Sequence, residues 1–487
     1  MLKIHKKKLN HSGFILVTVL AAMGLFLVIL LSALSLSLLQ MRLNISRIAN
    51  AQALHVADAG VNYYRWVLYH DHDDYCNNET CKEEPDYGPY GPYEYNDASG
   101  NITGYYKLYI TPPATNGSTI VKVKSVGWVK EYPNITREIE VRLGIPAWST
   151  YSTLSNSFIR FGEGTEVWGP IHSNSGIRFD GLAHNLITSA VLKADDPDHE
   201  GSDEFGVHTH IFPTDPLPDG NNPPENVPDR TDIFMSGRSF PFSAISFDML
   251  DNYIDKTYGM ATSSGYTLPD SGVQGYHIVI TPHTGAGNDT IKIYKVSAIT
   301  STCDGVETFG ISSESLYTTI SPPANGLIFV KDRVWVDGKI DNERLNILAF
   351  EDPFTGSATD IILNNDLKYT NYDGTDAIGL IAQKDISIGM YSADIIRIDA
   401  ALIAKTGRIG RNYYTCSNYH GCSTTYCTRN TISVNGSLAT KNRYGFAYTD
   451  GTGYVFRNLI YDNYLTFAPP PHFPSTGEYT FISWKEK

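Results

Sequence analysis

Two histidines one residue apart, His208 and His210, stand in "GVHTHIF", just after an acidic run that holds His199, Asp203 and Glu204. On a strand, residues two apart share a face, so both imidazoles point the same way and nearby carboxylates can complete a metal shell. The surrounding composition argues against this. Residues 195–204 carry six acids and residues 213–228 carry six prolines, the make-up of a solvated surface insertion. No metal or cofactor is therefore expected, and His208 and His210 are the weak candidates for one. "NYDGTDAIG" (371–379) and "YTDGTGY" (448–454) offer oxygens of the kind calcium takes. Asp-Gly and Thr-Gly more often make turns, which is the reading preferred here.

Cleavage of a polysaccharide needs facing carboxylates, or calcium beside a base. Glu163, Glu166, Asp180, Asp360, Asp366, Asp399 and His172 supply the residue types, but spacing alone does not say which of them meet. G-x-S-x-G, H-E-x-x-H and phosphate-loop patterns are all missing. No catalytic residue is assigned, and the chain is read as a non-enzyme. The alternative is a membrane-tethered polysaccharide-active enzyme.

Six cysteines allow 15 connectivities. Cys76 and Cys81 bracket a four-residue loop and form the preferred pair. Cys303, Cys416, Cys422 and Cys427 are disulfide candidates whose partners stay open. Zinc competes, but no C-x-x-C occurs, and an exported acidic chain more often forms disulfides.

These groups need elements to hold them. Lys3, Lys6, Lys7 and Lys8 precede a stretch from Phe14 to Leu39 without a charge. Twenty-six residues exceed the roughly 20 that span a hydrocarbon core, and a secretory h-region is only about 7–15 long. The lysines favour the cytoplasmic side. A single pass through the cytoplasmic membrane is expected, with the body outside. After it, Leu43, Ile48, Ala51, Leu54, Ala57, Val61 and Tyr64 keep a near-helical spacing, and no proline comes before Pro85. One helix from Phe14 to about Tyr69 is predicted.

Gly13-Phe14 after a basic leader, the apolar run, and then "ALHVADAG" (Ala53–Gly60) resemble the N-terminus of PilX-type minor pilins among the type IV pilin-like proteins. The resemblance implies a prepilin peptidase cut between Gly13 and Phe14, methylation of the new terminus, and other pilin subunits as partners, at times in a surface filament. It has one departure: where major pilins carry a glutamate five residues into the mature chain, this chain has Thr18. That departure fits an occasional or tip subunit better than a bulk one. "VWGPIHSNSGIRFDG", "NGLIFVKDRVWVDGKID" and "RYGFAYTDGTGY" extend the likeness to large PilX-type surface proteins, and this brings no activity with it.

Residues 71–102 read as an acidic Tyr/Pro/Gly loop, with nine acids against one lysine in 71–97. Residues 103–145 alternate with period two and predict a small antiparallel sheet. From 146 to 487 the chain becomes short β-branched runs broken by Gly, Asn and Asp. Rungs of a right-handed β-helix or β-solenoid are expected over about 150–191 and 325–445, with a β-sandwich as the alternative. An inserted subdomain of about 195–325 would hold one helix (247–265) and a few antiparallel strands (275–320). The expected class is thus α+β, mainly β, with a leader at 1–13 and a transmembrane and stalk helix at 14–70.

The net charge of −14 argues against nucleic acid as a partner, and no lysine or arginine cluster follows the leader. The 32 tyrosines suit contact with a surface glycan or protein. The reading is a membrane-anchored structural protein for pilus or pseudopilus assembly or for adhesion.

Overall fold

The computed structural model describes residues 12–83, 85, 87–113, 118–283, 285, 287–466, 468–475 and 478–487. Two compact units divide them. The first takes in Met1–Pro112, Val121–Leu143 and Phe481–Lys487; the second takes in Pro113–Ile120 and Gly144–Thr480.

The first unit is built on helix α1, Ser12–His70, 59 residues long and about 90 Å at 1.5 Å per residue. Its first half exposes every large apolar side chain from Ile15 to Leu39. It is the one described helix long and apolar enough to cross a membrane. The second half changes character. Ala49, Ala53, Val56, Ala57, Val61, Tyr64, Val67 and Leu68 are buried at three- and four-residue steps, the stripe of a helix lying on a core.

That core is a five-stranded sheet in the order Tyr90–Asn96, Ile102–Thr111, Val121–Val129, Tyr132–Gly144, Thr480–Glu486. The first four strands pair antiparallel. Tyr106, Leu108, Ile110, Val121, Val123, Ile139 and Val141 form the buried face. The sheet is larger than the sequence suggests. Tyr90–Asn96 lies inside the stretch expected to be loop, held by Tyr90, which is buried opposite Leu108. The fifth strand comes from the far end of the chain.

Why the helix lies so close follows from three glycines. A Cβ on Gly127 would stand 2.3 Å from the Ala57 nitrogen, and one on Gly104 would stand 2.8 Å from Val56. On the helix itself, a Cβ on Gly60 would meet Ser125 and Tyr106 at 2.5 and 2.6 Å. Ala53, Ala57 and Gly60 are therefore the flat face on which helix and sheet touch, which gives the "ALHVADAG" stretch a packing role.

The second unit is dominated by parallel pairing. One ladder runs Tyr266–Leu268, Leu327–Val330, Arg344–Ala349, Ala377–Ala382, Ile395–Ala404, Thr428–Thr440, Thr153–Ser155, Ile171–Ser173, Ile187–Ser189, Arg238–Ser239. The register stacks one column of side chains through it: Ile328, Ile347, Leu380, Leu402, Leu438, Thr153, Ile171, Ile187. All of them are buried. The opposite face carries Phe329, Leu348, Ile381, Ile403 and Ala439. There helix α2, Leu250–Ser264, covers it with Leu250, Ile254 and Ala261. Burial on both faces explains the nearly continuous apolar runs of these strands.

The chain enters this ladder in its middle. It climbs from Thr153–Ser155 to Arg238–Ser239, returns through α2 to the other end, and works back until Leu438 pairs with Thr153. Three antiparallel strands, Tyr276–Thr281, Thr290–Ile299 and Ile311–Ile320, join through parallel pairing of the first with Val334–Ile340. They fall where the sequence predicts them, as does α2, which a short 3-10 turn at Phe247–Met249 precedes.

Candidate functional site

Gly13 and Phe14 lie in the helical backbone that begins at Ser12. Lys3, Lys6, Lys7 and Lys8 fall outside the described residues. Thr18 turns its hydroxyl back to the Ile15 carbonyl at 2.9 Å, a local bond that helix-borne threonines favour. The apolar half of α1 thus presents a hydroxyl where a carboxylate would carry charge.

The six cysteines form three disulfides: Cys76–Cys81, Cys303–Cys422 and Cys416–Cys427. The first is the expected pair. The other two share out the four cysteines whose pairing the sequence leaves open. Cys303 reaches Cys422 because "STCDG", between two long antiparallel strands, meets the loop before Thr428–Thr440. That contact is also seen in the bond from Asp304 N to the His420 carbonyl.

The histidines of residues 195–210 are better ordered by their surroundings than an acidic run suggests. Lys193–Ala194 pairs antiparallel with Glu204–Phe205, and Val207–His208 pairs parallel with Ile177–Phe179. The turn between the first two strands carries Asp196 and His199 back over the second. His208 is fully buried and Glu204 and Asp196 nearly so, while His199 is exposed. Glu204 Oε1 lies 2.9 Å from His210 Nε2 and 3.2 Å from His199 Nδ1. His208 donates from Nδ1 to the Phe205 carbonyl at 2.8 Å, and its Nε2 stands 3.7 Å from Asp196 Oδ2. The backbone N–H of His210 is fixed by Asp180 Oδ1 at 2.8 Å. Burial alone would raise the Asp196 carboxyl, but the His208 imidazole, the Asp198 amide and the Arg178 guanidinium hold it well below the usual carboxylate range. Asp203, an expected neighbour, points to solvent, and Asp196 takes its place. Nothing in a run of six acids marks Asp196 in advance.

Of the carboxylates considered for glycan chemistry, Glu166, Asp180, Asp360, Asp366 and Asp399 each have a separate partner. Asp180 pairs with Arg178 at 2.6 Å, Glu166 with His184 at 2.5 Å, and Asp366 with Lys368 at 2.6 Å. Asp399 pairs with Arg397 at 2.8 Å and accepts from the Tyr372 hydroxyl at 2.6 Å. Asp360 is buried and accepts from the Asp385 amide, and its desolvation pushes the carboxyl up to about 6. His172 bonds Thr188 and Asn174, and Glu163 is exposed.

A basic feature is also assembled that spacing does not reveal. Arg160, Arg408, Arg443 and Arg457 line one cleft of about 510 Å³ with Tyr444 and Tyr448. Asp198 holds Arg443 at 2.5 Å and Arg160 at 3.5 Å. Arg160 is brought beside three arginines that come more than 240 residues later in the chain, and together they make a local positive site on an acidic chain.

No family model matches the chain, and no curated protein matches it. Among solved structures, it aligns with the competence-associated pilin ComZ from Thermus thermophilus at 11% identity, over 90% of this chain and 97% of that one. The TM-score is 0.29, too low for the alignment to place the two chains in one fold.

Proposed function

We propose that the protein is a membrane-anchored, pilin-like structural subunit used in few copies, with a large β body for surface contact. The observation that carries this reading is α1. A charge-free half long enough to span a bilayer continues without a break into a half that docks, through Ala53, Ala57 and Gly60, on a small antiparallel sheet. A prepilin peptidase would release residues 1–13, and other pilin subunits would pack along the exposed half of the helix. The parallel ladders, with one buried residue stacked per strand, support a right-handed β-helix as the body's architecture, since parallel crossovers are right-handed in almost all proteins. The arginine-lined cleft supports contact with an anionic surface glycan or protein. No specific observation favours catalysis.

Thr18 bears on copy number. Leaving an ionised group unpaired in a bundle of apolar helices costs several kcal/mol, so a buried carboxylate facing a terminal amine fixes axial register. Thr18 cannot do this as an anion. Counting tagged subunits on isolated filaments is expected to find the protein at filament ends and far below the major subunit in abundance. Uniform labelling at major-subunit stoichiometry would refute the few-copy reading.

A further inference from the structure

We infer that residues 196–210 hold one divalent transition-metal ion of the zinc class, with His210 as its central ligand. Two three-residue sets share that histidine, His199–Glu204–His210 and Asp196–His208–His210, and in each the donor atoms lie within 4.8 Å of one another. Tetrahedral zinc with bonds of about 2.0–2.1 Å places its ligand atoms about 3.3 Å apart. The 3.2 Å from Glu204 Oε1 to His199 Nδ1 is close to that spacing, while the 2.9 Å to His210 Nε2 is a hydrogen bond that a bound ion would replace.

His208 supplies the second, independent observation. The Phe205 carbonyl can only accept, so His208 Nδ1 is the donor in that bond and Nε2 is the ring nitrogen left to take another partner. That Nε2 is buried, has no hydrogen-bond partner, and faces a carboxylate oxygen at 3.7 Å. A cation between or beside them would give the buried Nε2 the partner it lacks. Outer contacts fit the same purpose: the Phe205 carbonyl orients His208, and Arg178 bonds Asp196 at 3.1 Å. Imidazole with carboxylate is the donor set of zinc, cobalt, nickel or copper; calcium and magnesium take oxygen. The ion would clip the turn between Lys193–Ala194 and Glu204–Phe205 to the strand after it. All ligands lie within 15 residues, so the site does not depend on how the chain is anchored.

The full chain in detergent, made without a polyhistidine tag, should be stripped with a chelator and titrated with Zn²⁺ and Co²⁺. One ion per chain is expected, with Co²⁺ giving visible d–d bands of a low-symmetry nitrogen and oxygen site. His210→Ala should weaken uptake about 100-fold or more, beyond what loss of an outer contact does. His199→Ala, at an exposed position that folding tolerates, should weaken it about tenfold or more. Absence of stoichiometric uptake by the unaltered chain would overturn the site, leaving a protonated His208 beside Asp196. Uptake unchanged in both variants would overturn it equally.

Discussion

Gly127→Val is expected to lift the second half of α1 off its sheet, at a cost of about 3 kcal/mol or more. The reason is the kind of atom that a side chain would strike. A Cβ there would meet the Ala57 nitrogen at 2.3 Å, the Ala53 carbonyl oxygen at 2.7 Å and the Ala57 Cα at 2.8 Å. All three belong to the helix backbone and cannot rotate away, so the helix must retreat or the strand must bend. Retreat would open the contacts of Val56, Val61 and Tyr64, which are buried against the same sheet. Gly259→Ala is the control: it lies in α2 with open space around the added methyl, and should be neutral or stabilising by about 0.5–1 kcal/mol. Hydrogen exchange on the full chain in detergent reads the difference. Amides of residues 53–68 should lose protection in the valine variant alone, and unchanged protection would contradict the packing account.

Loss of the Cys303–Cys422 bond should be the costliest disulfide removal. It joins positions 119 apart, whereas Cys76–Cys81 joins positions 5 apart. On the chain-entropy account, the long loop contributes about 5 kcal/mol and the short one about 2. Cys303 and Cys422 are also buried with Met390 and Tyr414, so paired serines would leave hydroxyls in an apolar cluster. Thermal melts of the Cys303→Ser/Cys422→Ser and Cys76→Ser/Cys81→Ser variants should show the larger fall in the first. Equal falls, or a larger one in the second, would contradict the assignment.

The two cases show which parts of the molecule a reader of the sequence can reach. α1 was legible because no proline or charge breaks its apolar half and a helical period follows. Cys76–Cys81 was legible because its partners are near in sequence. The "ALHVADAG" stretch was legible only as a likeness. Its physical reason appears when Gly127 and Gly104 come up against it from strands 40 or more residues away. The strand Thr480–Glu486 carries no mark that assigns it to the small sheet, since its partner was made more than 300 residues earlier. The ladder has the same property. "TISVNGSLAT" reads as a strand, but that Leu438 lies beside Thr153 is a matter of long-range register.

The candidate sites divide along the same line. His208 and His210 stand out by their own spacing, and the structure brings their rings to 5.5 Å between centroids. Asp196 does not stand out, because it is one acid among six and only the turn after Lys193–Ala194 selects it. The arginine cleft was invisible for a stronger reason. Arg160 and Arg457 belong to segments that meet only after the chain has run out along the ladder and come back, so no local window contains them both.

The central claim, a pilin-like anchor, is tested most directly at the mature N-terminus. Mass spectrometry of the exported chain should find Phe14 as its first residue, carrying one added methyl group on the amine. Gly13→Leu should leave residues 1–13 attached. A mature chain that begins at Met1, or one cut beyond Leu39 so that the apolar half of α1 is lost, would contradict it.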